Sequence, residues 1–310
     1  MTATPSIGAD SVGPKRSRSA VLFSMLRRDP VALVAAIFLT LLVLTAIIGP
    51  IILSQYAVNF DLGKRNLPPF YLDKGWLFIL GADSLGRSML ARLVVGAQLS
   101  LVIACTAVAL SMTVGVTIGV FTGYVGGWQS TVIMRLTDIV ISFPGLLLAL
   151  VVLYVIGPST INVILILALG RLPLFIRTAR AQTLELRERM FVSAARSLGV
   201  STPSIVFRHI VPLVLPTMVT VAAVDFASVI LAESGLSFLG LGIQPPAFTW
   251  GAMVAAGRQY LQTGWWLTFF PGLMIMATTL CLNLLANWVR TATDPHQRWR
   301  LQASKDRGHG

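Results

Sequence analysis

Four ionisable side chains lie inside apolar stretches of this sequence: Asp138, Arg171, Asp225 and Glu233. Ionisable residues in such stretches face protein or water, and they often mark a route for ions or solutes. Asp138 follows Arg135 by three residues on one helical face, so we expect these two to form a structural pair. Arg171 and Asp225 are candidates for a pathway, or for pairing with each other or with another subunit. Glu233 is a candidate for a gate or a docking contact.

The sequence contains no set of residues that is typical of a catalytic site. The sequence contains no GxxxxGK[ST] phosphate loop, no HExxH and no paired nucleophile and base. Cys105 and Cys281 lie within apolar runs, and the three histidines are widely separated. We therefore expect a chain that is not an enzyme and that holds no metal or cofactor of its own.

The amino-acid composition indicates a membrane protein. Hydrophobic residues make up 55% of the 310 residues and charged residues only 12%, against about 25% in soluble domains. Charge-free runs such as 31–60, 93–134 and 139–170 exceed the roughly 20 residues that cross a bilayer. The net charge of +12 fits lysines and arginines in cytoplasmic loops better than it fits a nucleic-acid site.

The apolar runs predict an all-α membrane protein with six transmembrane helices and both termini in the cytoplasm. A helix over the whole run 93–134 would be too long, so it should break at 123–127, where glycines cluster. We predict a disordered cytoplasmic tail at 1–28, a first transmembrane helix and outer loop at 29–96, a core of five helices at 97–292 and a cytoplasmic tail at 293–310. The predicted spans are 31–53, 97–122, 132–156, 160–180, 213–233 and 267–290.

A polar, basic loop at about 185–212 separates the fourth and fifth predicted spans. Residues 185–198 are predicted to be helical, and Gly199 can end that helix in the left-handed conformation. Thr202 is a candidate N-cap for a second helix, with Pro203 in its first position. Taken alone, this loop could be an amphipathic helix that rests on lipid headgroups.

The loop resembles a known motif. The sequence SAA, three residues, Gly and then Ile-Val-Pro at 210–212 is similar to the EAA loop of permeases in binding-protein-dependent ABC importers. The segments LGADSLGRSMLARLVVGAQLSL, MRLTDIVISFPGLLLAL and LAESGLSFLGLGIQPPAFTWGAMVAAGRQYL resemble the dipeptide/oligopeptide/nickel branch, most closely its C-type subunits (DppC/OppC-like). The resemblance implies the type I (MetI-like) permease fold. It departs at Ser193, which replaces the acid of EAA, and at Ser88, which replaces an acid often found after LGR.

The resemblance also implies the partners of the chain and its cellular location. The loop would contain a coupling helix that contacts an ATPase, through Ser193, Ala194, Ala195, Gly199, Ser201, Thr202, Pro203 and Ser204. Implied partners are a homologous B-type permease, two cytoplasmic ATPase subunits that carry ATP and Mg, and an extracytoplasmic substrate-binding protein, all at the bacterial plasma (inner) membrane.

Dipeptides or oligopeptides are the substrates that this resemblance favours. Nickel or another small solute is the alternative. A stand-alone secondary transporter or channel is a more distant one, since we see no inverted repeat.

Overall fold

The computed structural model describes residues 25–71, 73 and 75–293. Most of both predicted tails, 1–28 and 293–310, lies outside this part of the chain. The described residues contain ten α-helices. Their bounds are α1 Pro30–Val58, α2 Met89–Val125, α3 Gly127–Ser142, α4 Gly145–Ile156, α5 Thr160–Arg187, α6 Met190–Ser197, α7 Thr202–Ile205, α8 Val211–Phe238, α9 Trp250–Gly257 and α10 Trp266–Thr293.

Five helical stretches are long and apolar enough to cross a membrane: α1, α2, α5, the run from α7 through α8, and α10. The pair α3–α4 makes a sixth span if it is counted as one. The span predicted at 132–156 consists of two helices, because α3 and α4 meet at 90°. Phe143 is extended, as steric conflict with the following Pro144 favours, and this interrupts the helix.

Side-chain oxygens and glycine set several of the helix ends. The Asp29 carboxylate accepts from the backbone nitrogens of Val31 and Ala32 at the start of α1. Ser88 and Ser159 accept in the same way at the starts of α2 and α5, satisfying amide groups that have no partner within the helix. The predicted break at 123–127 is confirmed. It falls at Gly126, whose φ of 69° suits glycine.

Helices α2 and α5 approach each other closely through three glycines. Gly115, Gly119 and Gly123 lie at four-residue spacing on one face of α2, and each is close to α5. A Cβ atom built on Gly119 would lie 2.6 Å from the Ile176 carbonyl oxygen and 2.7 Å from Ala179 Cβ. Small residues at this spacing let helix backbones pack directly in a membrane, where no water drives association.

Helix α9 and the connections 59–88 and 239–265 pack together at the end of α2 where that helix begins. Trp250 at the start of α9 is fully buried, and its Nε1 donates to the Leu93 carbonyl oxygen at 2.9 Å. Trp266 Nε1 donates to the Ala82 carbonyl oxygen at 3.2 Å. The first indole bond ties α9 to α2, and the second ties α10 to the connection 59–88. The loop at 188–210 lies at the opposite end of α2.

Candidate functional site: a helical loop and an intramembrane ion pair

The loop between α5 and α8 is a short helix, a tight turn and a second short helix. The prediction of one helix over 185–198 is wrong in its bounds, because α5 continues to Arg187 and α6 begins only at Met190. Gly199 ends α6 as predicted, with φ +77°. The backbone nitrogen of Val200 donates to the Ala195 carbonyl oxygen at 3.1 Å, a bond typical of a glycine-terminated helix.

Helix α7 begins at Thr202, one residue earlier than predicted, so Ser201 is its N-cap and Pro203 is its second residue. A π-helical turn, Val206–Ile210, then joins α7 to α8. The side chains of Val192, Ile205 and Ile210 are buried and fix the loop to the helices beneath it.

The candidate contact residues lie on the other side of this loop. Ser193, Ala194, Gly199, Ser201, Thr202 and Pro203 are exposed, whereas Ala195 and Ser204 are half-buried. The structure therefore brings the eight residues into one continuous segment with most of its surface open.

Two arginines connect the loop to the end of α2. Arg187 Nη1 donates to the carbonyl oxygens of Gly123 and Tyr124 at 3.3 and 3.2 Å. These carbonyls belong to the last turn of α2, where no helical partner remains and a cation is favoured. The Arg196 guanidinium lies 6.0 Å from the centre of the Tyr124 ring. The end of α2 thus contacts both Arg187, the last residue of α5, and Arg196 of α6.

Large apolar side chains are exposed on the same segment. Met190 and Leu198 are 88% and 83% exposed, and Phe207 is also open. Sequence reasoning missed these three residues because it followed the small residues of the motif. The available signal was their position: each is apolar, yet each sits between arginines in a polar loop. Exposed apolar groups beside cations are typical of a protein-contact surface.

Arg171 of α5 and Asp225 of α8 form an ion pair within the apolar layer. Arg171 Nε lies 3.4 Å from Asp225 Oδ1, and the Asp225 side chain is only 4% exposed. Of the alternatives for these residues, pairing with each other is the one that the structure contains. The pair joins two spans at mid-helix. Arg171 also lines a cavity of about 240 Å³ together with Gly145 and Leu236 of α4 and α8.

Asp138 pairs with a residue other than the one predicted. Its Oδ1 accepts from Arg177 Nη2 at 2.6 Å, whereas the expected partner was Arg135. The Arg177 side chain reaches α3 from α5, 39 residues away in sequence. Both partners are about half exposed, so this bond fixes the position of α3 on α5 and contributes little to stability.

Glu233 is buried, with 1% of its surface exposed. Its Oε1 accepts from Ser237 Oγ and from Thr249 Oγ1, both at 2.8 Å. Thr249 in turn caps α9 by accepting from the backbone nitrogen of Ala252. The carboxyl group therefore joins α8 to α9 from the inside. A docking protein could not touch Glu233 directly in this conformation, and a role of Glu233 at a gate stays a prediction.

Two family models match the chain. Residues 115–299 match the model described as binding-protein-dependent transport system inner membrane component. Residues 17–69 match the N-terminal TM domain of oligopeptide transport permease C. The chain belongs to this family of binding-protein-dependent inner-membrane permeases. This permease is therefore a multi-pass subunit of an ABC importer in the inner membrane, of the C type that the sequence resemblance indicated.

Its relatives extend over nearly the whole chain. The probable D,D-dipeptide transport system permease protein DdpC of Escherichia coli (strain K12) is 35% identical over 90% of this chain and 92% of the relative. The di/tripeptide transport system permease protein DppC of Pseudomonas aeruginosa is 36% identical over 85% and 88%. The glutathione transport system permease protein GsiD of Escherichia coli O6:K15:H31 is 38% identical over 87% and 88%.

A solved structure confirms the fold. The permease resembles a chain in inward-facing structures of the MetNI methionine ABC transporter, with a TM-score of 0.52 and 19% identity. The match covers 65% of this permease and 96% of that chain. The predicted MetI-like architecture is thus confirmed for the shared part.

Proposed function

We propose that this permease forms one half of the translocation route of an ATP-driven importer of dipeptides or oligopeptides. Its partners in the proposed complex are a B-type permease, two ATPase subunits and an external substrate-binding protein. ATP and Mg belong to the ATPase subunits in this proposal. The observation that carries the coupling role is the loop 188–205, which presents exposed small and apolar residues at one end of α2, α5 and α8.

The loop suits an ATPase contact for three physical reasons. Its buried residues fix it to the spans, so force applied to it reaches them. Its small exposed residues, Ala194 and Gly199, allow another backbone to approach closely. Its apolar side chains, Met190 and Leu198, can anchor a contact by burial. Glu188, the nearest acid to Ser193, is exposed and accepts from Arg187 Nε at 3.1 Å, so shape and apolar contact outweigh charge in the proposed interface.

The ion pair and Glu233 take separate roles in the proposed cycle. ATP closes the ATPase dimer, the loop moves with it, and the spans change between inward-open and outward-open arrangements. Arg171 and Asp225 would border the route beside the cavity between α4, α5 and α8, while Glu233 would act as part of an outer gate between α8 and α9. The proposed orientation places the loop and both termini in the cytoplasm, with α3–α4 counted as one span.

The choice of peptides rests on the relatives, whose names specify dipeptides, tripeptides and glutathione. Nickel import by the same machinery is the alternative outcome. ATP-dependent uptake of radiolabelled dipeptide, of glutathione and of nickel ions into proteoliposomes containing the full complex distinguishes these substrates. Uptake by the purified permease alone, without ATPase subunits, would instead support a stand-alone transporter and contradict the proposal.

The ATPase contact is tested by Leu198→Asp with Leu62→Asp as its matched control. Both leucines are highly exposed, at 83% and 71%, and they lie at opposite ends of the molecule. We expect Leu198→Asp to abolish co-purification of the ATPase subunits, because a carboxylate replaces an apolar anchor. Leu62→Asp should retain them. Equal ATPase recovery with both variants would refute the assignment of the loop.

A further inference from the structure

A cavity of about 680 Å³ lies between the two connections at the end of the permease remote from the coupling loop. Phe60, Arg87 and Arg92 are in one wall, and Gln244 and Phe248 are in the other. Gln244 and the residues that follow it, 245–247, are exposed, so the cavity opens to the surface. Its volume falls within the range of about 300–1,000 Å³ that small-molecule sites occupy.

Positive charge exceeds negative charge in its lining. The guanidinium groups of Arg87 and Arg92 share a single carboxylate, Asp83, whose Oδ2 lies 2.7 Å from Arg87 Nε and 3.7 Å from Arg92 Nε. The other oxygen of Asp83 accepts from the backbone nitrogens of Leu85 and Arg87. One carboxylate thus faces two cations, and its accepting positions are already occupied.

The other carboxyl groups near the cavity do not remove this excess. Asp61, whose backbone nitrogen donates to the Leu85 carbonyl oxygen, pairs with Lys64 at 2.9 Å. Glu233 lies behind Ser237, almost fully buried, and it bonds to the hydroxyl groups of Ser237 and Thr249. It is absent from the lining of the cavity. Among the described residues, the lining therefore contains two guanidinium groups and no carboxylate, and Asp83 beside it balances only one of them.

The two guanidinium groups are held in place before any ligand arrives. Arg87 Cζ lies 5.7 Å from the centre of the Phe60 ring, and Arg92 Cζ lies 4.2 Å from that of Phe248. Arg92 Nη1 also donates to the Ala57 carbonyl oxygen at 3.4 Å. Among the described residues, Arg87 donates through Nε alone, so both of its terminal nitrogens remain available. A planar guanidinium group with free N–H donors can bind a carboxylate through two parallel hydrogen bonds.

We propose that this cavity binds the C-terminal carboxylate of a short peptide as the peptide passes from the binding protein toward the spans. Arg87 binds the carboxylate through two hydrogen bonds, and Arg92 adds a second positive charge beside it. The apolar walls accept peptide side chains of varied shape. This site rests on the proposed function, since it assumes a peptide substrate. It adds to that function a named carboxylate receptor outside the intramembrane route.

The test compares a peptide with its amide. The probes are alanyl-phenylalanine and alanyl-phenylalanine amide, offered to the assembled complex in nanodiscs without the binding protein, with binding followed by saturation-transfer NMR. We expect the acid to bind at least about tenfold more tightly than the amide, because charge-assisted bonds to a preformed site are lost in the amide. Arg87→Gln should reduce binding of the acid to that of the amide.

Arg258→Gln is the matched control, since this exposed arginine lies at the same end, over the Phe238 ring, and outside the cavity lining. It should leave the preference for the acid intact. Arg87→Lys keeps the cation beside Asp83 but lacks the planar guanidinium group, and an intermediate preference is expected. The lysine variant therefore tests the site even if the glutamine variant fails to assemble.

Equal binding of acid and amide to the unmodified complex overturns the proposal, as does an acid preference that survives Arg87→Gln. A third result also overturns it: weaker binding of the binding protein to Arg87→Gln with the peptide preference unchanged, which would make the occupant a carboxylate of that protein. Uptake of peptides by the full system is measured separately. Absent uptake refutes the peptide function, whereas normal uptake without acid preference refutes this site alone.

Discussion

The close approach of α2 and α5 predicts that a single added methyl group at Gly119 destabilises the permease. In Gly119→Ala, the new Cβ would lie 2.6 Å from the Ile176 carbonyl oxygen and 2.7 Å from Ala179 Cβ, whereas ordinary contacts begin at 3.4 Å. Neither neighbour can move by changing a rotamer. The helices must therefore separate by roughly 0.7 Å, which forfeits packing along their shared face.

We expect the free energy of unfolding to fall by about 1–2 kcal/mol. Overpacking destabilises by about 1–3 kcal/mol, and replacing glycine by alanine in a helix stabilises by about 0.5–1 kcal/mol. Gly170→Ala is the matched control on α5, because a Cβ there would meet no atom within 4 Å. It should be neutral or stabilising. The unfolding temperature of the purified permease is measured from the fraction that stays soluble after heating. For Gly119→Ala this temperature should fall by about 2–4 °C per kcal/mol.

A second substitution tests the cause of the loss. Ala179→Gly removes one of the three atoms that lie too close to the new methyl group, so it should recover part of the stability in the Gly119→Ala background. In the unmodified permease, Ala179→Gly should lower the free energy of unfolding by about 0.5–1 kcal/mol. An unfolding temperature for Gly119→Ala equal to that of Gly170→Ala would refute the reasoning, as would strictly additive effects of the two substitutions.

Three further predictions concern other parts of the molecule. Gly199→Ala should reduce ATP-driven uptake in assembled complexes, because φ of +77° costs an L-residue about 1–2 kcal/mol. Gly199→Asn should reduce it less, and equal uptake by both variants and the unmodified protein would contradict this. Trp250→Phe should lower the unfolding temperature by an amount equivalent to about 1–3 kcal/mol, since it removes the indole hydrogen bond to the Leu93 carbonyl oxygen and part of a fully buried side chain. Asp225→Asn should slow uptake while assembly remains intact if Arg171 and its partner border the route; unchanged uptake would remove them from it.

Much of the fold follows from local properties of the sequence. Apolar length predicts the spans, and glycine predicts both the break at Gly126 and the end of α6 at Gly199. These features are readable because a run of apolar residues and a left-handed turn each depend on a few neighbouring positions. The motif resemblance adds the location of the coupling loop, which composition alone would equally assign to a lipid-surface helix.

Features set by distant contacts were not predictable in the same way. Asp138 pairs with Arg177 of another helix because packing brings α5 beside α3, and the local preference for Arg135 carries only a few tenths of a kcal/mol. The 90° turn at Phe143–Pro144 is local by contrast: hydropathy gives no sign of it, but Pro144 and Gly145 are residues that commonly interrupt a helix. The four-residue spacing of Gly115, Gly119 and Gly123 was visible in the sequence, but its partner helix was not.

Helix α2 contains 37 residues and no proline, in contrast to α1, α5, α8 and α10, each of which has a proline in its interior. At 1.5 Å per residue it is a rod of about 56 Å, nearly twice the thickness of the hydrocarbon core. One end carries Arg92 beside the cavity between the two connections, and the other carries Tyr124 against the loop between α5 and α8. Such a rod acts as a lever: a tilt of about 5° displaces one end by about 5 Å relative to the other. Motion imposed at the loop would then alter the cavity walls on the far side of the membrane without any change in the helix itself.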